Sequence, residues 1–282
     1  MIVPLFVSLF LSAFVSSSVL PRAGGTGGIN DFSCKSSTQP VPVVLLHGLG
    51  ATYYEDLNGL QAFLATKGFC TFAITYGAYD GFPFVGGFKA IDESSKQLAD
   101  YIAEVVSKTG SSKVDLVGHS EGGFQTLYVP KFTSARNSIR KAFSIAPPSH
   151  GTTFGNLFTL ARAFGVSEEV NGVLSTFGCK ACNDLQIGGD AVTKLNQGPI
   201  TQPGIQYTVL TSKYDEMVTP APEASFIQED GVRNLLVQDF CPLDPVGHLS
   251  EAYDLNVWNL VLNELQDQQS RKFACTFGSP GK

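Results

Sequence analysis

Residues 113–123 read KVDLVGHSEGG, and this stretch decides the fold that we predict for the chain. It begins with the apolar run Val114–Val117, which predicts a buried strand, and Phe124–Phe132 is predicted as the helix behind it. Ser120 stands between the two, in the pattern G-x-S-x-G. A serine on such a strand-to-helix turn has a strained backbone, and glycines flank it because larger side chains would collide with the neighbouring strand and helix. The pentapeptide alone occurs often by chance, so its flanking elements give it weight.

The rest of the chain alternates short apolar runs with longer mixed segments. Such alternation indicates parallel strands that are joined by helical crossovers. We predict strands at residues 43–46, 69–75, 142–146, 207–210 and 235–237, and helices at residues 57–65, 91–106 and 255–265. The predicted fold class is therefore α/β, with a mostly parallel central sheet and helices on both faces.

The alternation breaks at about residues 152–200, which we interpret as an insertion over the sheet. An apolar helical stretch runs from Phe154 to Val173 within it. As a lid, the insertion would open at an oil–water interface and present its apolar face to lipid. As a cap, it would pack permanently on the core. The sequence leaves both interpretations open.

Composition fits one globular domain, which we place at residues 19–282. The chain has 282 residues, of which 43% are hydrophobic and 16% charged, so it can build a core of ordinary size. Its net charge of −6 argues against a nucleic acid as partner. We expect a monomer, and no cluster of histidines, cysteines or carboxylates predicts a metal or another cofactor.

Residues 1–18 are predicted to be a signal peptide. Met1 to Val15 is apolar except for one proline and two serines, and small residues follow before a cleavage point after Ser18. The alternative is a membrane anchor, but a spanning helix needs about 20 apolar residues. We therefore expect a secreted, extracellular protein without a transmembrane anchor.

The cysteines support export. There are six, and an even number in a chain with a signal peptide indicates disulfides. The sequence alone allows many pairings. Their order along the chain favours Cys34–Cys70, Cys179–Cys182 and Cys241–Cys275.

A serine nucleophile needs a general base, and the base needs an acid that orients it. In hydrolases with this type of turn, the three follow in the order serine, acid, histidine. His248 lies after the last predicted strand, so we predict Ser120 as the nucleophile and His248 as the base. His47 and His119 are interpreted as residues that hold or pack against the turns.

The acid is expected in a loop that follows a strand. Asp215 stands in such a loop, in SKYD after the strand at 207–210, and we predict it as the catalytic acid. Asp244 is a second candidate. Glu216 would replace Asp215 if the loop register differed by one residue.

The negatively charged oxygen of a tetrahedral intermediate needs hydrogen-bond donors that are already in place. One donor is predicted to be the backbone N–H of Glu121, directly after the nucleophile. The other is expected from the loop HGLG at residues 47–50, where Leu49 stands between two glycines that let the backbone turn.

Two runs, residues 43–50 and residues 118–123, resemble the secreted triacylglycerol lipases and esterases of the α/β-hydrolase superfamily. Residues 113–118, 146–153, 207–220 and 237–248 are similar to actinobacterial and fungal lipase-like proteins of that group, so the resemblance covers nearly the whole mature chain. It implies an α/β-hydrolase fold with a cap or lid insertion. It also implies a triad of Ser120, Asp215 and His248, with Leu49 and Glu121 at the oxyanion hole. Many relatives have glutamine in place of Glu121, a change that we expect to be tolerated because the donor is backbone.

These observations together predict a carboxylic-ester hydrolase that works through an acyl-enzyme, in the first place a triacylglycerol lipase. Its partner would be a lipid or a small ester, at an oil–water interface if the insertion is a lid. The alternatives are a short-chain carboxylesterase, an acyltransferase that replaces water with another acceptor, and a non-catalytic binding protein with a hydrolase fold.

Overall fold

The computed structural model describes residues 27–153 and 176–278, and its centre is a seven-stranded sheet in which all strands are parallel. The strands lie side by side in the order β1-β3-β2-β4-β5-β6-β7. Their bounds are β1 Gly28–Ile29, β2 Val43–Leu46, β3 Cys70–Ala73, β4 Val114–His119, β5 Ile139–Ile145, β6 Gln206–Thr211 and β7 Arg233–Leu236. The predicted α/β class with a parallel sheet is confirmed.

Helices cover both faces of this sheet. Their bounds are α1 Asn58–Thr66, α2 Ile91–Thr109, α3 Glu121–Phe132, α4 Lys180–Asp184, α5 Asp190–Leu195, α6 Val237–Phe240, α7 His248–Glu251 and α8 Leu255–Leu265. Alternate residues of β2 show the two layers, because successive side chains of a strand point to opposite faces. Val43 and Leu45 pack with α1 and α8, whereas Val44 and Leu46 pack with α2.

The predicted elements differ from the observed ones mainly at their ends. The helix predicted at 124–132 begins three residues earlier, at Glu121, directly after the serine. Helix α2 continues to Thr109, where Gly110 adopts a left-handed conformation (φ 70°) and ends it. No strand is predicted before residue 43, but residues 28–29 form the edge strand β1.

Three disulfides tie the described chain together, in the pairing that the order of the cysteines favours: Cys34–Cys70, Cys179–Cys182 and Cys241–Cys275. The first joins the segment after β1 to β3, and the last joins the C-terminal segment to the residue after α6. The predicted pairing is confirmed.

Two predicted segments, the signal peptide at 1–18 and the apolar helical stretch at 154–173, lie outside the described residues. Residues 176–200 of the predicted insertion are described and contain α4 and α5. Within residues 27–153 and 176–278, no helix combines the length and the apolar character that crossing a bilayer requires.

The parallel arrangement brings the predicted site residues to one edge of the sheet. Residues 47–50 follow β2, Ser120 follows β4 and Asp215 follows β6. Each lies beyond the carboxyl end of its strand, and His248 lies in the connection that follows β7 and α6. In open parallel sheets this is the edge at which ligands bind.

Candidate active site

Ser120 occupies a strained turn between strand and helix. Its backbone has φ 55° and ψ −118°, a region that residues with a side chain rarely adopt. The N–H of Ser120 donates to the carbonyl of Ile145 in the neighbouring strand (2.8 Å), and its own carbonyl accepts from Phe124 in α3 (3.0 Å). Strand and helix therefore both fix the turn that presents this serine.

The two glycines of the motif are required by close backbone contacts. A Cβ on Gly118 would overlap the carbonyl group of Gly122, and a Cβ on Gly122 would overlap the carbonyl oxygen of Leu46 in β2. Backbone atoms cannot move aside as a flexible side chain can. The turn therefore packs as tightly on α3 and β2 as the sequence pattern predicts.

His248 contacts the hydroxyl of Ser120. Its Nε2 lies 2.9 Å from Ser120 Oγ, although the two residues are 128 positions apart. The histidine is buried, with 1% of its surface exposed, and it is the first residue of the short helix α7. A ring nitrogen at this distance is within reach to accept the hydroxyl proton.

Asp215 contacts the other ring nitrogen of His248. Its Oδ2 lies 2.8 Å from His248 Nδ1, and its Oδ1 accepts the N–H groups of Met217 and Val218, both at 2.8 Å. A carboxylate held by two N–H groups fixes the ring with Nε2 directed at the serine.

The two other candidate acids lie elsewhere. Glu216 accepts the backbone N–H of His248 (3.1 Å), whereas the ring of His248 contacts Asp215. Asp244 accepts the N–H of Val246 (3.1 Å) and the side-chain amide of Asn256 (2.6 Å). The structure therefore brings Ser120, His248 and Asp215 into one hydrogen-bonded chain, and it leaves Asp244 outside.

The charges around His248 favour its protonated form. Burial alone lowers the pKa of its imidazole, but the charge of Asp215 and the hydrogen bond to it raise the pKa, and the carboxylates of Glu216 and Asp56 add to this. The net effect is a pKa above the usual range for histidine. An imidazolium that forms during a reaction would be stabilised here.

Two backbone N–H groups, one in the loop after β2 and one at the start of α3, form no hydrogen bond with the described residues outside their own segments. The N–H groups of Gly48 and Gly50 donate to Asp56 Oδ2 (2.6 Å) and to the carbonyl of Gly86 (2.9 Å), whereas that of Leu49 between them forms no hydrogen bond with any described residue. The N–H of Glu121 opens α3 and has no partner in that helix. Leu49 and Glu121 therefore remain the predicted oxyanion donors.

The side chain of Glu121 is fully buried, and neither of its carboxyl oxygens has a hydrogen-bond partner among the described residues. Burial raises the pKa of this carboxyl well above its usual range, and the negative charge of Asp184 adds to the effect. The side chain is therefore neutral where an ordinary glutamate is charged. A neutral carboxyl does not oppose the negative charge of an oxyanion nearby, and in this respect Glu121 is comparable to glutamine.

A Glu121→Gln variant is expected to be more stable than the wild type, by a margin that grows with pH. The folded state keeps a proton that the unfolded state releases above the ordinary glutamate pKa, so the wild type loses stability as pH rises toward the folded pKa. The loss is about 1.4 kcal/mol per pH unit in that range. Denaturant unfolding at several pH values measures it, with Glu104→Gln on the exposed side of α2 as control. A margin that stays constant with pH would contradict the neutral state of Glu121.

Two buried acids close to these residues are not predicted from the sequence. Asp56 has 1% of its surface exposed and contacts His119 Nδ1 at 2.7 Å. Glu251 is fully buried and accepts the backbone N–H of Ser212. Burial and the charge of Asp215 raise the pKa of Glu251 well above its usual range. Sequence carries no signal for either, since both look like ordinary acids at the ends of helices.

His47, in the loop after β2, is held by contacts with Tyr76. His47 stacks on Tyr76, with ring centroids 4.2 Å apart, and its Nε2 accepts the N–H of Tyr76 (3.2 Å). Burial lowers the pKa of His47 to about 4, so its ring is neutral at ordinary pH. It holds the loop after β2, the position interpreted from the sequence as structural.

One group of side chains has the composition of a metal site. Nitrogen atoms of His119 and His248 and a carboxylate oxygen of Glu251 lie within 4.8 Å of one another. The ring nitrogens of His248 are engaged with Ser120 and Asp215, and those of His119 with Asp56 and the carbonyl of His248. A metal would have to displace these hydrogen bonds, so the geometry favours the hydrogen-bonded arrangement.

Comparison with known proteins identifies relatives among lipases. Residues 40–248 match the model of the family described as lipase (class 2). A triacylglycerol lipase of Burkholderia plantarii is 29% identical over 153 residues, which are 49% of this chain and 40% of that protein. A triacylglycerol lipase of Pseudarthrobacter phenanthrenivorans is 31% identical over 123 residues, which are 41% of this chain and 35% of that protein. The matches thus span less than half the length of either relative.

Solved structures share the fold. Lipase B of Aspergillus fumigatus superposes with a TM-score of 0.59 at 19% identity, over 85% of this chain and 54% of that one. A lipase-esterase related protein of Clostridium acetobutylicum superposes with a TM-score of 0.55 at 15% identity, over 83% and 96% of the two chains. These likenesses show the α/β-hydrolase fold.

Proposed function

Since the chain belongs to the class 2 lipase family, whose model matches residues 40–248, we propose that it is a secreted hydrolase of carboxylic esters, in the first place a triacylglycerol lipase. The observation that carries the proposal is the hydrogen-bonded chain from Ser120 Oγ through His248 to Asp215, with distances of 2.9 and 2.8 Å. This arrangement suits a reaction in which a hydroxyl must lose its proton as it attacks.

The proposed reaction proceeds through an acyl-enzyme. Ser120 Oγ attacks the ester carbonyl, while His248 Nε2 accepts the hydroxyl proton. The oxygen that becomes negative is bound by the N–H groups of Leu49 and Glu121. His248 then gives its proton to the leaving alcohol. Water, deprotonated by the same nitrogen, attacks the acyl group and releases the carboxylic acid and Ser120.

Asp215 acts through the ring of His248. Its carboxylate fixes the tautomer with the proton on Nδ1, and its charge stabilises the imidazolium that exists while the proton is on the ring. The raised pKa of His248 reflects the same charge. Hydrolysis should therefore increase with pH as His248 loses its proton, with a midpoint above the pKa of an ordinary histidine.

Secretion is supported by the cysteines and by the apolar N-terminal segment. All six cysteines are paired in disulfides, which persist in oxidising compartments outside the cytosol. Residues 1–18 have the composition of a signal peptide. We further propose that the mature chain acts as a monomer on lipid or small-ester substrates, and N-terminal sequencing of exported protein tests the cleavage after Ser18.

A chain-length profile tests the proposed substrate class. Hydrolysis of p-nitrophenyl esters of increasing acyl length, and of tributyrin and triolein below and above their solubility, is measured on the purified mature protein. A lipase is expected to hydrolyse emulsified long-chain triacylglycerols. Activity confined to short, dissolved esters would instead assign a short-chain carboxylesterase, and a rate that rises with added alcohol acceptor would assign an acyltransferase.

Labelling with a fluorophosphonate separates an enzyme from a binding protein. The probe forms a covalent bond with a serine whose hydroxyl is activated by a base. Peptide mass spectrometry is expected to find the adduct on Ser120. Absence of label on Ser120 in folded protein would support a non-catalytic protein and contradict the proposed hydrolase.

A further inference from the structure

Behind the triad lies a second histidine and carboxylate contact, which we call the Asp56–His119 pair. Nδ1 of His119 lies 2.7 Å from Asp56 Oδ1, and both side chains are almost completely buried. His119 is the last residue of β4 and directly precedes Ser120. Neither residue belongs to the chain of hydrogen bonds from Ser120 to Asp215, so the proposed chemistry leaves the pair without a role.

The pair contacts three separate parts of the site. Asp56 Oδ2 accepts the backbone N–H of Gly48 (2.6 Å), in the loop that offers Leu49 as oxyanion donor. His119 Nε2 lies 3.0 Å from the backbone carbonyl oxygen of His248. His119 itself is bonded covalently to Ser120. One buried pair thus links the oxyanion loop, the nucleophile turn and the main chain of the base.

Proton counting fixes the state of the pair. The carbonyl oxygen of His248 is purely an acceptor, so His119 Nε2 must carry a proton. Asp56 Oδ2 already accepts from Gly48, and a 2.7 Å contact between Oδ1 and Nδ1 needs a proton between them. The pair therefore holds two protons and is neutral as a whole.

The environment of Asp56 favours the ionised form of its carboxyl group. Burial raises the pKa of Asp56, but the charge of His119, the hydrogen bond from its ring and the N–H of Gly48 together bring that pKa below the usual range. Asp56 is then a carboxylate, whose two oxygens contact His119 and the N–H of Gly48.

The backbone of Asp56 adopts an unusual conformation and is held by a hydrogen bond. Its φ is 63°, in the left-handed region that non-glycine residues seldom adopt, and its N–H donates to the hydroxyl of Tyr253 (2.7 Å). Tyr253 follows α7, the short helix that begins with His248. Asp56 therefore contacts the segment around His248 in two ways. Its backbone N–H binds Tyr253, and its side chain binds His119, which in turn contacts the carbonyl of His248.

We propose that Asp56 and His119 are positioning residues, which set the distance and orientation of the oxyanion loop and of His248 relative to Ser120. This inference rests on the proposed function, because it assigns the pair a part in the same hydrolysis. Reactions of this kind are sensitive to geometry, and a displacement of about 1 Å can cost about 100-fold in rate. Loss of the pair should therefore lower kcat more than it changes KM.

Two substitutions test the pair. In Asp56→Asn, the amide oxygen can still accept from Gly48, but Nδ1 of His119 loses its contact with a carboxylate. In His119→Asn, the shorter side chain can still donate to Asp56, but it no longer reaches the carbonyl of His248. Each is expected to lower kcat for p-nitrophenyl butyrate about 10- to 100-fold with KM within about twofold.

The matched control is Asp115→Asn. Asp115 is a fully buried carboxylate near the start of the same strand, β4, and it pairs with Arg140. Its loss should lower the melting temperature while kcat stays within about twofold of the wild type. If Asp56→Asn and His119→Asn lower the melting temperature like this control but leave kcat equally unchanged, the positioning role is wrong.

Nitrogen-15 NMR of the wild type gives an answer even if the variants do not fold. Nε2 of His119 is expected to carry a proton, because it lies 3.0 Å from the carbonyl oxygen of His248. An unprotonated Nε2 would overturn the contact with His248 on which the positioning role depends. The two proposals fail separately: a wild type that hydrolyses no ester contradicts the proposed function, whereas an active wild type with unchanged variant kcat contradicts only the positioning role.

Discussion

Ser120→Ala is expected to reduce kcat for ester hydrolysis on the order of 10⁶-fold, since the reaction would lose its nucleophile while its oxyanion donors and binding surface remain. The structure predicts little disturbance of the fold. The strained turn is held by backbone contacts to Ile145 and Phe124, which alanine keeps. Measurement of kcat with p-nitrophenyl butyrate and with emulsified tributyrin checks the expected loss.

A serine elsewhere in the core provides the control. Ser95 is buried on α2 and donates to the carbonyl of Asp92, so Ser95→Ala removes the same hydroxyl without touching the triad. Its kcat should remain within about twofold of the wild type. The assignment of Ser120 as nucleophile is wrong if Ser120→Ala, folded as judged by its circular dichroism, hydrolyses these esters as fast as Ser95→Ala does.

Asp215→Asn is expected to lower kcat by about 10⁴-fold, because an amide in this position can leave His248 in the wrong tautomer. A second effect concerns pH. The charge of Asp215 raises the pKa of His248, so its removal should lower that pKa. Because His248 acts as a base when neutral, the rise of kcat/KM with pH should then occur at a lower pH than in the wild type.

Asp244→Asn is the informative comparison for this prediction. Asp244 is buried as deeply and lies four residues before His248, but it bonds to Val246 and Asn256. Its substitution should cost much less activity and leave the pH profile in place. An equal loss of kcat in both variants, with the pH shift in Asp244→Asn alone, would reassign the acid to Asp244.

Local patterns in the sequence predict the parallel sheet and the strand-to-helix turn at Ser120. The strand Val43–Leu46 is buried on both faces, so its apolar run is unbroken and its predicted bounds agree with the observed ones. The turn at Ser120 needs glycines at 118 and 122 for steric reasons that act within one segment. The order of serine, acid and histidine along the chain then limited the choice of partners.

Features that depend on contacts between distant segments were not predictable. The two residues of β1 form a strand because they pair with β3, and two residues are too few to show a strand pattern in the sequence. Asp56 meets His119 across 63 positions, and a single sequence has no pattern that relates them. The direction of the Glu121 side chain depends on which loop covers α3, and its neutral state follows from that burial.

The parallel sheet also constrains how the protein acquires its activity. Ser120 and His248 are 128 residues apart, and the strands between them pair in parallel, so the site requires contacts that close long loops. Contacts of this kind form late and slowly, because chain entropy must be lost before they stabilise anything. A refolding chain should therefore regain ester hydrolysis at the rate of its slowest folding phase. The return of activity would then report when folding of the sheet is complete.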